Sequence, residues 1–93
     1  MFETTTVEGE EKAKIVLYAL STCGWCAKTK RLLDEMGVRY AFVYLDLLTG
    51  EASKAALESM KRWNPQGSFP TLVINDKACI IGYQPEQIRG AIG

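Results

Sequence analysis

A strand-like run, a two-residue hydroxyl stop and an amphipathic repeat follow one another with almost no spare residues between Lys14 and Met36, which leaves few ways to fold. Lys14 to Leu20 is short, apolar and rich in β-branched residues, the composition of a strand buried on both faces, and Ser21-Thr22 ends it. From Gly24 to Met36, a helix would align Cys26, Thr29, Leu32, Leu33 and Met36 on one face. Lys28, Lys30, Arg31, Asp34 and Glu35 fall on the other, and Gly37 is placed to stop it. Val38 to Leu47 returns to strand composition. A strand, helix and strand joined this closely form a right-handed crossover with the two strands parallel.

The rest of the chain extends that unit. Thr49 offers an N-cap with Glu51 in the first turn. Ala52, Ala55, Ala56, Met60 and Trp63 then recur at helical spacing, with Glu58 and Arg62 placed for an i,i+4 ion pair. Asn64-Pro65-Gln66-Gly67 breaks this helix. Thr71 to Ile74 and Ala78 to Ile81 flank Asn75-Asp76-Lys77 as a hairpin, Gly82 closes the second strand, and Pro85 suits the first turn of a last helix carrying Ile88, Ala91 and Ile92. The expected fold class is α/β, in the order β-α-β-α-β-β-α, with a four-stranded mixed sheet and helices on both faces. Residues 1–11 are polar and aperiodic and read as a flexible N-terminal tail; residues 12–93 read as the domain.

Composition excludes several functions. Ninety-three residues support one core, so a separate cofactor domain has no room. Eleven Lys and Arg balance eleven Asp and Glu, which gives no basic footprint for nucleic acid or an anionic membrane. Apolar runs such as Ile15 to Leu20 fall far short of the ~20 residues needed to span a bilayer. The acidic, threonine-rich start lacks the pattern of a signal peptide, and three cysteines do not make an even disulfide framework, so a reducing, cytoplasmic setting is expected. With no histidine, Cys/His and Ser/His/Asp nucleophile systems are absent.

Chemistry therefore concentrates on Cys23-Gly24-Trp25-Cys26, where the first strand meets the first helix. Cys23 falls at the helix N-terminus, where unpaired N–H groups and the positive end of the helix dipole favour a thiolate. Cys26, one turn further on the apolar face, is close enough to bond Cys23 yet shielded from outside attack. Half of a zinc site is the competing explanation, but zinc takes four ligands and only Cys79 remains, so no metal is assigned. Phe69-Pro70-Thr71 opens the third strand, either as a proline tolerated there or as a cis bond beside the dithiol. In the second case the preceding backbone groups pair with an extended substrate, and the nearby dithiol favours it. Trp25 reads as an exposed recognition platform, Trp63 as core, and Cys79 as a small buried hydrophobe. Lys28, Lys30 and Arg31 read as a solvated helix face, with steering of an acidic partner as the alternative.

From Lys14 to about Ile92 the chain resembles the glutaredoxin family of the thioredoxin fold. The resemblance is carried by Cys23-Gly24-Trp25-Cys26, Phe69-Pro70-Thr71 and Gly82-Tyr83. It implies that Cys23 attacks, Cys26 resolves and Pro70 is the cis-proline, with Trp25, Phe69, Thr71, Gly82 and Tyr83 meeting the substrate. Glutathione users in the family commonly carry Gly-Gly and then acidic or hydroxyl residues where this chain has Gly82-Tyr83-Gln84-Pro85-Glu86. The pattern is more similar to redoxins that supply ribonucleotide reductase and are recharged by a protein reductase. Tyr83 adds bulk and Pro85 removes a donor, which argues against glutathione. The expected function is a monomeric dithiol–disulfide oxidoreductase without organic cofactor. It would reduce protein disulfides and draw electrons from a thioredoxin-reductase-like or ferredoxin-linked enzyme. A glutathione-dependent glutaredoxin and a [2Fe–2S] carrier are the alternatives.

Overall fold

The computed structural model describes residues 2–93. Its elements are β1 (Thr5–Val7), β2 (Ile15–Ala19), α1 (Gly24–Met36), β3 (Tyr40–Tyr44), a 3-10 turn at Leu45–Leu47, α2 (Gly50–Lys61), β4 (Thr71–Ile74), β5 (Ala78–Ile81) and α3 (Pro85–Ile92). They build one mixed sheet in the order β1-β3-β2-β4-β5. β2 runs parallel to β3, as the crossover through α1 requires, and antiparallel to β4, which pairs with β5 as a hairpin. At the hairpin tip Asn75 and Asp76 both take positive φ, 56° and 51°, a turn suited to the twist of its strands.

The sheet has five strands rather than the expected four, because Thr5–Val7 pairs antiparallel with β3. This corrects the reading of residues 1–11 as a flexible tail. Without β1, β3 would present a bare row of N–H and C=O groups, and a β-branched Thr-Thr-Val segment is well suited to cover it. The same approach brings Gly9 against the chain after α1. A Cβ there would sit 2.6 Å from the Val38 carbonyl carbon, so only glycine fits.

Alternation along the strands sorts the core into two layers. Ile15, Leu17, Leu72, Ile74 and Ile80 meet Leu32 and Leu33 of α1 and Ile88 and Ile92 of α3 on one face. Tyr18, Val43 and Val73 meet Ala56 and Met60 of α2 on the other. Thr49 is the N-cap of α2, but its hydroxyl makes no capping bond, and Glu58 and Arg62 are not ion-paired among the described residues. Trp63 is half-buried against the second layer.

One end of the sheet gathers the segments that matter for chemistry. Pairing of Ala19 with Tyr44, Tyr18 with Thr71, and Thr71 with Ile81 places four segments there together: the turn leading to Cys23, the turn after β3, the loop before β4 and Gly82.

Candidate active site

Cys23 is the N-cap of α1, with extended backbone angles of φ −91° and ψ 118°. Its Sγ accepts a hydrogen bond from the Cys26 N–H at 3.1 Å, and its carbonyl accepts the first helical bond, from Ala27, at 3.0 Å. The side chain thus occupies the place where a capping oxygen usually sits, and sulfur satisfies an N–H that the helix leaves open. The first turn of α1 carries no acidic residue. Cys26 is 1% exposed. Burial first, and then its contact with the Cys23 side chain, push its thiol up from 9.0 to about 12. Cys23 is half-buried, and the fully buried Cys26 thiol is held protonated behind it.

The turn ahead of Cys23 is fastened from across the sheet. Asp46 accepts the Ser21 N–H at 2.9 Å and the Ser21 hydroxyl, and these bonds hold its carboxyl below the usual range. Nothing in the sequence pairs Ser21 with a residue 25 positions on; only the parallel register of β2 and β3 does so.

Beside the dithiol lies a groove of about 240 Å³ lined by Trp25, Phe69, Pro70, Gly82 and Tyr83. Trp25 is 58% exposed and stacks on Tyr83 with ring centroids 5.9 Å apart and planes inclined by 26°. Lys28 Nζ sits 4.6 Å from the Trp25 ring centroid. The Phe69–Pro70 bond is cis. Phe69 lies outside every strand, and among the described residues none of the loop hydrogen bonds uses its N–H or C=O, whereas the Pro70 carbonyl accepts from Gly82 N–H at 2.9 Å.

The family model described as Glutaredoxin matches residues 15–79, which span both cysteines and the Phe69-Pro70-Thr71 segment. The chain belongs to the glutaredoxin family. Among solved structures, methanoredoxin of Methanosarcina acetivorans is 47% identical with a TM-score of 0.89, covering 91% of this chain and 90% of that one. The glutaredoxin of Methanosarcina mazei Go1 is 43% identical with a TM-score of 0.90, covering 97% and 87%. Glutaredoxin-C6 of Oryza sativa subsp. japonica is 32% identical over 66 residues, which are 70% of this chain and 56% of that relative's length. Glutaredoxin-family members are thiol–disulfide oxidoreductases, and this chain carries the Cys23 and Cys26 pair such chemistry uses.

The glutaredoxin groove gathers Trp25, Phe69, Pro70, Gly82 and Tyr83, but not the side chain of Thr71. Thr71 is wholly buried, its hydroxyl donating to the Ser68 carbonyl at 2.8 Å and accepting from Asn64 Nδ2 at 3.0 Å. The expectation that it meets substrate is corrected for its side chain, which instead ties the loop before β4 to Asn64. Asn64 itself carried only the signal of a helix breaker. Cys79 is half-buried rather than buried, its thiol donating to the Trp63 carbonyl at 3.2 Å.

Two outcomes follow from the unequal thiols. In the reduced glutaredoxin, iodoacetamide near neutral pH should label Cys23 well before Cys26; the reverse order by peptide mapping would contradict the assignment. The second concerns alkaline stability, because Tyr40 resembles Cys26: burial, and then its hydroxyl's 2.5 Å bond to Asp34, raise its ionisation above the ordinary phenol value. Both groups stay protonated when folded and ionise more easily unfolded, so stability should fall as pH climbs from about 9 toward 12. The slope per group is on the order of 1 kcal/mol per pH unit. Urea midpoints at pH 8 and pH 10.5 measure it, and Cys26→Ser should shallow the decline.

Proposed function

We propose that the protein is a dithiol–disulfide oxidoreductase that carries electrons to the disulfides of other proteins in a reducing, cytoplasmic setting. One observation carries this reading: a half-buried Cys23 whose sulfur caps the helix N-terminus, with a buried Cys26 thiol one turn behind it and an open groove alongside. The Cys23 thiolate attacks one sulfur of a substrate disulfide, which forms a mixed disulfide and expels the other sulfur as a thiolate. Cys26 then attacks Cys23 Sγ, its proton passing, directly or through water, to the substrate sulfur that departs. The Cys23–Cys26 disulfide forms, the second substrate sulfur leaves, and two electrons have passed to the substrate. Phe69, with its backbone polar groups uncommitted in the loop, suits an extended substrate segment laid along the groove. Ribonucleotide reductase, whose thiols must be regenerated, is one substrate of this kind.

Electrons return from a donor other than glutathione, and a protein reductase of the thioredoxin-reductase or ferredoxin-linked class is the donor we assign. Two features support this. Tyr83 lies stacked on Trp25 where a tripeptide would need space, and Pro85 begins α3 without an N–H to offer a carboxylate. A coupled assay starting from the disulfide form tests it, with millimolar glutathione plus glutathione reductase in one arm and protein reductases in the others. Reduction by glutathione should be at least about tenfold slower, as expected when a carboxylate loses a charge-assisted bond. Fast turnover with glutathione and none with either protein reductase would place the chain among glutathione users.

A further inference from the structure

Next to the groove, a second cleft of about 220 Å³ opens between α1 and α3, lined by Lys28, Arg31, Leu32, Glu35, Tyr83 and Arg89. Three cations there face one carboxylate, although the chain as a whole is neutral. Lys28, Arg31 and Arg89 are all exposed, and none is ion-paired among the described residues. The two depressions adjoin: Tyr83 lines both, and Lys28 reaches back over the Trp25 ring that walls the first. A segment leaving the groove past Tyr83 therefore enters a positively charged cleft.

We propose that Lys28, Arg31 and Arg89 dock an acidic stretch of the protein whose disulfide is reduced, an assignment that rests on the dithiol reading above. The spacing sets where the carboxylates belong. Lys28 and Arg31 lie five and eight residues along α1 from Cys23, or roughly 7 and 12 Å at the helical rise, and an extended chain covers those spans in about two to four residues. Acidic side chains two to four positions from the partner's reactive cysteine would reach the cations. The effect is mainly on encounter rate, since exposed charges steer association and salt screens them.

Two synthetic peptides test this, each bearing a single cysteine as its 2-pyridyl disulfide, with glutamates at the two to four positions flanking the cysteine in one and glutamines in the other. Reduced protein passes two electrons and two protons to either disulfide, releasing the peptide thiol and pyridine-2-thione and leaving Cys23–Cys26 oxidised. The thione absorbance gives the second-order rate. The acidic peptide should react about tenfold faster at about 20 mM salt, with the gap shrinking below about twofold near 0.5 M. The double variant Arg31→Glu with Arg89→Glu should remove or invert the preference, while Lys54→Glu on α2 should keep it. Equal rates for the two peptides at low salt, or a preference unchanged in the double variant, would overturn the docking surface. If neither peptide were reduced, the dithiol reading would fail first.

Discussion

Cys23→Ser should abolish protein-disulfide reduction, with a loss of about a thousandfold or more, the scale seen when an attacking nucleophile is removed. A serine hydroxyl accepts the Cys26 N–H as sulfur does, so the helix start survives while the chemistry does not. Cys26 cannot substitute: it is 1% exposed, and burial pushes its thiol up to about 12. Nor can Cys79, which packs with the α2 layer on the opposite face of the sheet from Cys23. Cys79→Ala should accordingly keep the rate of the parent protein, measured by insulin precipitation or by the pyridyl disulfides. Substantial activity in Cys23→Ser would show that another thiol attacks.

The largest loss of stability outside the apolar core is expected from Asn64→Ala. Asn64 is 1% exposed, and its Nδ2 donates to the Ser68 carbonyl at 3.1 Å, the Ser68 hydroxyl at 3.0 Å and the Thr71 hydroxyl at 3.0 Å. Its backbone also receives the loop, with Gly67 N–H on its carbonyl at 2.9 Å. Truncation strips the buried Thr71 hydroxyl and the loop's Ser68 of their donor and leaves a void where the amide was. Those costs together come to about 2–4 kcal/mol, or roughly 10–25 °C in Tm for a domain of this size. Because Ser68 and Thr71 bracket Phe69 and Pro70, the groove should loosen as well, and disulfide reduction should fall by more than the unfolded fraction explains. Urea unfolding measures the first effect. A midpoint within error of the parent would show that the Asn64 network is dispensable.

What could be read from the residues, and what could not, divides along the distance over which each signal acts. Periodicity within a segment placed every helix and the strands β2 to β5, because side-chain burial repeats locally; the hairpin bounds at Thr71–Ile74 and Ala78–Ile81 were legible to the residue. β1 was not legible. Three residues with only Val7 half-buried carry no period, and what makes them a strand is the edge of β3 waiting 35 residues away. The same holds at the site. Cys23 and Cys26 announce themselves by spacing at a strand–helix junction. By contrast, the Asp46 clamp on Ser21, the Asn64 bond to Thr71 and the stacking of Trp25 on Tyr83 join residues whose types suggest caps, breakers and surface aromatics. Lys28 is exposed, as its polar helix face suggests, but its position over the Trp25 ring is set by the fold rather than by any local pattern.

The central claim is a division of labour, with Cys23 exchanging with the substrate and Cys26 releasing it. Its most direct test is to mix Cys26→Ser, reduced and desalted, with a disulfide-bearing protein substrate, quench in acid and map the product by mass spectrometry without reductant. A stable adduct joined to the substrate through Cys23, and its disappearance when Cys26 is restored, is the predicted result. An adduct on Cys79, or none while the variant still turns over, would contradict it.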